Sequence, residues 1–146
     1  MKIYLDTCSL NRPLDDKTQA RVALEAEAIL TLLALCDAGQ LSLVSSDALL
    51  FEVQRNPHPQ RRAVIAEVLI RASIFVQFSD QIEQRAKELE QRGIKAVDAL
   101  HLASAEAERV DYFCSCDDRL VKKAKALPDT AVRIVTPLEL IQEIER

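Results

Sequence analysis

Ile3-Tyr4-Leu5-Asp6 is a short apolar, β-prone run that ends in an acid. The stretch from Thr7 to Pro13 follows it, and because Asn11 and Pro13 punctuate this stretch we predict a loop there. We interpret residues 3–5 as a buried strand that delivers the carboxylate of Asp6 to its C-terminal end. This strand is the first element of an alternation of strands and helices that continues along the chain, and the alternation determines the fold class.

Strands alternate with helices outward from this point. Further strands are predicted at 41–45, 74–78, 111–115 and 132–135. Helices are predicted at 17–38, 46–55, 60–72, 79–93, 96–109 and 117–127, with a last one from Thr136-Pro137 onward. The alternation is typical of α/β proteins, so we predict a three-layer αβα sandwich with a mostly parallel central sheet. Residues 1–146 are expected to form a single domain.

The inward face of the helix at 17–38 follows from its periodicity. Apolar residues recur there at helical spacing, namely Ala26, Ile29, Leu30, Leu33 and Cys36. We predict that this face packs on the sheet.

Composition limits the function classes. The chain has 146 residues, of which 49% are hydrophobic, so it needs no disulfide to stabilise a core. Its net charge of −4 supplies no overall positive field for nucleic acid. A nucleic-acid partner must therefore be held by a local basic patch or by bound metal.

Cysteine spacing and hydropathy predict the compartment. Cys8, Cys36, Cys114 and Cys116 form no C-x-x-C pair, so we expect free, mostly buried thiols in a reducing cytoplasm. The first acid, at position 6, comes too early for a signal peptide. No apolar run approaches the ~20 residues of a membrane span. We predict a cytoplasmic protein without a membrane partner.

Four acids stand where acids are rare. Asp6 and Asp117 follow predicted strands, while Glu52 and Asp98 lie in apolar stretches of predicted helices. Taken singly, each has a structural explanation: a cap for Asp6 or Asp117, a surface acid for Glu52, and a helix-dipole partner for Asp98. Ligands of open α/β sheets bind beyond the carboxyl ends of strands, so these acids are candidates for one crevice.

Mutual repulsion connects these acids to a cation. At an effective dielectric of ~20, two charges 4 Å apart repel by about 4 kcal/mol, so shared protons or a bound cation are needed. Oxygen ligands without His or Cys favour Mg²⁺ or Mn²⁺. Such an ion with open water positions suits phosphodiester hydrolysis.

Four segments together resemble the PIN-domain nucleases, which include toxin ribonucleases of bacterial toxin–antitoxin pairs. The segments are Ile3-Tyr4-Leu5-Asp6-Thr7, Ser46-Asp47-Ala48-Leu49-Leu50-Phe51-Glu52-Val53, Asp98-Ala99-Leu100-His101-Leu102-Ala103-Ser104-Ala105 and Ser115-Cys116-Asp117-Asp118-Arg119-Leu120. The resemblance implies a VapC-like, Mg²⁺- or Mn²⁺-dependent ribonuclease that cleaves RNA. It also implies a catalytic cluster of Asp6, Glu52, Asp98 and Asp117, in which Asp6, Asp98 and Asp117 bind the metal. Thr7 and Ser115 match the family's supporting polar residues.

Two departures from the family pattern affect the site. Cys8 stands where the family often has Asn, so Ser9 or Asn11 is left to make that polar contact. Asp117 and Asp118 are adjacent, and either suits the fourth position, with Asp117 preferred by its place in the motif.

Other polar residues have two interpretations each. His101 lies three residues after Asp98 on the same helical face. It is either a residue of the site or a core histidine whose hydrogen bonds are satisfied within the protein. Basic residues near the acids are candidates for phosphate contacts or members of a solvated charged surface, namely Arg12, Arg55, Arg61, Arg62, Lys122, Lys123 and Lys125.

The alternative function is a non-catalytic PIN-like module that binds RNA or protein, which Cys8 and the net negative charge favour. An aspartyl-nucleophile phosphatase is disfavoured because position 8 lacks the second acid of a D-x-D site. A receiver-type phosphoacceptor is disfavoured because no acidic pair ends an early strand. The resemblance further implies a cognate antitoxin, and apolar positions on the helix at 60–72 suggest a homodimer contact.

Overall fold

The structure is a computed structural model, and it describes residues 1–145. The strands are β1 (Lys2–Leu5), β2 (Ser42–Ser46), β3 (Ile74–Val76), β4 (Tyr112–Cys114) and β5 (Arg133–Val135). The α-helices are α1 (Thr7–Asn11), α2 (Ala20–Asp37), α3 (Asp47–Gln54), α4 (Pro59–Ile70), α5 (Asp80–Gln91), α6 (Ala96–Glu108), α7 (Asp118–Lys125) and α8 (Pro137–Ile144). A 3-10 turn at Arg12–Leu14 continues α1.

All five strands are parallel and form one sheet in the order β3-β2-β1-β4-β5. Consecutive residues of a strand face opposite sides, and Ile3, Tyr4 and Leu5 are all fully buried, so both faces of β1 are covered. Helix α2 packs on α8, while α6 packs on α3 and α5. The predicted three-layer α/β architecture is therefore confirmed, with a sheet that is parallel throughout.

The predicted loop at Thr7–Pro13 is wrong, because this stretch is helical. Asp6 has an extended backbone, and its carboxylate accepts a hydrogen bond from the backbone N–H of Ser9, so it caps α1. Pro13 lies within the 3-10 turn near its start, a position that a residue without an N–H tolerates.

The buried face of α2 differs only in part from the predicted one, since Ala26 and Ile29 are buried and Leu33 and Cys36 are partly buried against the core. Leu30 is 53% exposed, whereas Glu25, Ala28, Ile29 and Leu32 are buried. Glu25 can be buried because Arg12 and Arg21 approach its carboxylate at 3.2 and 3.5 Å. A buried ion pair thus replaces an apolar residue, which hydrophobic periodicity does not reveal.

Cys8, Cys36, Cys114 and Cys116 are free thiols, as predicted. Cys114 and Cys116 are buried, but Cys36 is half-buried and Cys8 is exposed, so the expectation of mostly buried thiols holds for two of them. No helix within residues 1–145 is both long and apolar enough to cross a membrane.

Candidate active site

The candidate site lies at the carboxyl ends of β1 and β4. These strands are neighbours in space, and the chain's strand order reverses between them. The N–H of Asp6 donates to the carbonyl oxygen of Cys114 at 3.1 Å, which places Asp6 beside the residues that follow β4. The site therefore stands where ligands of parallel α/β sheets bind, as the sequence predicts.

Asp6 is the deepest acid of the site, with 2% of its surface exposed. Its carboxylate accepts the 2.9 Å hydrogen bond from the N–H of Ser9. Burial raises the pKa of Asp6, and the neighbouring Ser115 hydroxyl and Ser9 groups offset this rise only in part. A charge on Asp6 is therefore costly unless a cation approaches.

Glu52 reaches the site from α3, which begins after its capping residue Ser46. Its Oε1 atom accepts hydrogen bonds from the Thr7 hydroxyl at 2.5 Å and from His101 Nε2 at 2.7 Å. Burial acts to raise the pKa of Glu52, but these two donors outweigh it, so the pKa lies below its usual value. Glu52 is the acid of the site that is stabilised in its charged form.

Asp98 projects from the first turn of α6. Burial raises its pKa to about 6, and the charge of Asp6 adds to this rise. Glu52 and Asp117 contribute in the same direction, while His101 opposes them. Asp98 therefore lies within the electrostatic reach of the other three predicted acids.

Asp117 and Asp118 have different surroundings. Asp117 caps α7 through 2.9 and 3.3 Å hydrogen bonds from the backbone N–H groups of Arg119 and Leu120, and its own N–H donates to the Ser115 hydroxyl. Both carboxylate oxygens of Asp118 instead bind Arg21, at 2.6 and 2.7 Å, which lowers the pKa of Asp118. Asp117, and not Asp118, lines the same cavities as Cys8 and Asp98.

Charge at the site is not compensated by basic side chains. In the described part of the chain, no lysine or arginine forms an ion pair with Asp6, Asp98 or Asp117. Cys8 is exposed as a residue, but its thiol is crowded by protein atoms. This crowding and the charge of Asp6, with smaller effects from the other three acids, raise the pKa of Cys8 to about 12.

The carboxylate oxygens of these acids are suitable ligands for a hard divalent cation, although they do not form a complete coordination sphere. Among residues 1–145, no three acidic, histidine or cysteine side chains are close enough to hold a metal directly. Mg²⁺ keeps several of its waters and often binds through one or two carboxylates, so spaced carboxylates with uncompensated charge suit it. The cluster is therefore open rather than closed around an ion.

His101, Tyr4 and Ser46 form a buried chain of polar groups behind Glu52, and all three are fully buried. The Tyr4 hydroxyl lies 2.7 Å from both Ser46 Oγ and His101 Nδ1. Burial raises the pKa of Tyr4, so this side chain stays a neutral phenol. His101 is thus both a satisfied core histidine and a neighbour of the site.

Sequence reasoning missed Tyr4 and Ser46 as residues of the site. A tyrosine inside an otherwise apolar strand was an indication, because a buried hydroxyl needs a partner. The sequence alone did not show which partner it finds.

A groove of about 650 Å³ adjoins Glu52 and Thr7. Phe51 lines it with 47% exposure, and the Arg55 guanidinium lies 4.9 Å from the centre of the Phe51 ring. Arg61 also lines the groove, but it binds Asp15 at 2.8 Å. Arg55 forms no ion pair with any described residue, so its charge is open to a ligand.

The other basic candidates are engaged within the chain, with one exception. Arg12 pairs with Asp15 and Glu25, and Arg62 donates to the carbonyl oxygen of Asn56. Lys123 donates to the carbonyl oxygen of Gly93, and Lys125 pairs with Glu139. Lys122 makes no such contact in the described residues.

The fold is similar to that of solved toxin structures at low sequence identity. VapBC2 from Rickettsia felis, bound to a DNA fragment from its promoter, has a TM-score of 0.61 at 16% identity, over 93% of this chain and 98% of that one. DNA-bound VapBC from Salmonella typhimurium has a TM-score of 0.61 at 14% identity, over 94% and 98%. Mycobacterium tuberculosis VapC20, a toxin that cleaves the sarcin–ricin loop, has a TM-score of 0.58 at 15% identity, over 88% and 98%.

No curated protein sequence matches the chain significantly. Residues 3–126, however, match the PIN domain family. This range takes in all but the first residue of β1, the whole of β4 and the four acids that the sequence singled out. Because the match spans most of the chain, the protein belongs to the PIN-domain family.

Proposed function

We propose that this protein is a metal-dependent endoribonuclease and the toxin of a toxin–antitoxin pair. The observation that carries the proposal is the shared field of Asp6, Glu52, Asp98 and Asp117, which come from distant parts of the chain and lack basic partners except for His101 beside Glu52. Such a concentration of negative charge is costly in a protein without a cation. It is useful in one that holds a divalent ion against a phosphodiester.

Asp6, Asp98 and Asp117 would hold Mg²⁺ or Mn²⁺, in part through water. The bound ion supplies charge neutralisation at the phosphate and lowers the pKa of a bound water. Glu52 orients the attacking water by accepting a hydrogen bond from it, a role open to a carboxylate that stays ionised because its pKa is lowered. Thr7 supports the cluster by donating a hydrogen bond to Glu52, and the nearby Ser115 hydroxyl acts to lower the pKa of Asp6.

RNA would enter along the groove beside Glu52. Phe51 offers an aromatic face on which an unpaired base can stack, and Arg55 offers a cation for a phosphate. Stacking of this kind needs an unstacked base, which favours single-stranded RNA or loops. A local contact of this type suits a chain whose net charge is −4.

The decisive experiment is Asp98→Asn. We expect RNA cleavage by the parent protein in Mg²⁺ or Mn²⁺, abolished by EDTA, and a loss of roughly 100-fold or more in the variant. The matched control is Asp37→Asn. Asp37 precedes β2 and its ion-pair partner Arg71 precedes β3, so both lie at the amino ends of the strands, away from the site. Undiminished cleavage by Asp98→Asn would count against the proposal.

A non-catalytic module that binds RNA or protein is the second candidate. Cys8 in place of the family's frequent Asn favours it, as does the net charge of −4. The same assay separates the two candidates, because a binding module retains RNA in a filter or gel-shift measurement without cutting it.

Two protein partners belong to the proposal. An antitoxin would insert a segment into the acidic site, with an arginine among the carboxylates; two of the similar solved structures are VapBC complexes. A second copy of this chain would cover α4, where Val64 and Ile70 are 48% and 77% exposed. Light scattering at micromolar concentration tests the dimer, and a monomer would contradict it.

A further inference from the structure

We infer that Ser46, Tyr4 and His101 form a hydrogen-bond relay that positions Glu52 for catalysis. This inference rests on the proposed nuclease function. The relay joins β2, β1, α6 and α3 through contacts of 2.7 Å between Ser46 and Tyr4, between Tyr4 and His101, and between His101 and Glu52. We call these four residues the Glu52 relay.

Proton counting gives the relay a direction. A tyrosine hydroxyl has one proton, so Tyr4 donates to one of its two partners and accepts from the other. Ser46 Oγ already accepts from the N–H of Leu49 at 3.1 Å, and its own proton has no acceptor other than Tyr4 among the described residues. Ser46 therefore donates to Tyr4, and Tyr4 donates to Nδ1 of His101.

The direction then determines the His101 tautomer. Because Nδ1 accepts from Tyr4, the ring proton lies on Nε2, which faces the Glu52 carboxylate. The opposite arrangement would leave the buried Ser46 hydroxyl proton without an acceptor, which is unfavourable in a site with no exposure. Every polar proton of the relay is satisfied in one arrangement.

The relay presents one oxygen of Glu52 to the site. His101 and Thr7 both bond to Oε1, whereas no group in residues 1–145 donates to Oε2. The carboxylate is thus held by one oxygen while the other is left for water. Side chains that hold a reacting group in this way act through its orientation, so their removal lowers kcat more than it raises KM.

The first test measures the tautomer and needs no activity. The chain has two histidines, His58 and His101, so the ring-nitrogen NMR resonances are readily assigned. We expect His101 to carry its proton on Nε2 in the parent protein. Tyr4→Phe keeps the ring stacked on Phe113 and leaves Nε2 bonded to Glu52, so it should keep this tautomer but shift the Nδ1 resonance, because Nδ1 loses its hydrogen bond. A proton on Nδ1 in the parent protein, or an Nδ1 resonance that is unchanged in Tyr4→Phe, would overturn the relay.

The second test is kinetic. We expect Tyr4→Phe to lower kcat for RNA cleavage by about 10-fold or more with KM within about twofold, as for other groups that orient a site carboxylate. Tyr112→Phe is the control, because its hydroxyl contacts Glu143 at 3.5 Å at the start of β4, away from the site. Equal kcat values for the parent protein and Tyr4→Phe would contradict the inference.

Conservative replacement at His101 separates positioning from folding. His101→Gln keeps an N–H donor for Glu52, whereas His101→Leu removes it at similar size. We expect kcat to fall in the order parent, Gln variant, Leu variant, and equal kcat values for the two variants would overturn the inference. If the parent protein cuts no RNA, the proposed function fails, and the tautomer measurement still decides whether the relay exists.

Discussion

Asp98 carries an unfavourable charge at neutral pH in the metal-free protein, because burial and the carboxylate of Asp6 raise its pKa to about 6. An unfolded aspartate has a pKa near 3.8. Between these two values the folded chain binds more protons at this position than the unfolded chain does. The contribution of Asp98 to the free energy of unfolding therefore falls as the pH rises from about 4 to 6.

We expect Asp98→Asn to remove this part of the pH dependence. At pH 7 the metal-free variant should be as stable as the parent protein or more stable, because a repelled charge is gone. Urea unfolding in EDTA between pH 4 and 7.5 measures the difference.

Asp118→Asn is the control of opposite sign. Arg21 lowers the pKa of Asp118, so that substitution removes a favourable charge and should not stabilise the protein at pH 7. A metal-free Asp98→Asn variant that is clearly less stable at pH 7 would show that Asp98 has a structural partner instead.

At the scale of elements, α3 combines a buried and an exposed role. Ser46 caps it, Glu52 points into the site, and Phe51 and Arg55 lie one turn apart on its exposed side. The helix and its acid follow from the sequence pattern. The exposed pair does not, because a phenylalanine in an apolar run is expected in the core.

Arg55→Gln tests whether this exposed side of α3 binds RNA. We expect the slope of log Kd against log salt concentration for single-stranded RNA to decrease by about 0.7, the value for one lost phosphate contact. Arg71→Gln is the control, since Arg71 pairs with Asp37 at the amino ends of the strands, away from the site. An unchanged slope in Arg55→Gln would place the RNA elsewhere.

At the scale of the whole molecule, the parallel sheet brings together acids that are far apart in the chain. Strands β1 and β4 are neighbours and α6 packs on α3, and as a result the charges of Asp6, Glu52 and Asp117 all raise the pKa of Asp98. Bringing these charges together opposes folding when no cation is present. Metal binding and folding stability should therefore be coupled.

Mg²⁺ or Mn²⁺ should raise the melting temperature of the parent protein. At about 100 times the dissociation constant, binding contributes ~2.7 kcal/mol, which corresponds to roughly 5–10 °C for a domain of this size. Thermal unfolding with and without metal measures the shift. Asp37→Asn should keep the shift, and Asp98→Asn should lose most of it. Equal shifts in both variants would show that Asp98 does not bind the metal.

The sequence by itself determined the order of strands and helices and the acids at strand ends, because periodicity and strand-terminal residues are local properties of the chain. Only the tertiary structure decided that residues 7–11 form a helix, that Asp118 pairs with Arg21, and that Tyr4 connects Ser46 to His101. The partners of Tyr4 lie 42 and 97 residues away in the chain. A hydrogen bond across such a distance depends on how the elements pack, which a local pattern does not encode.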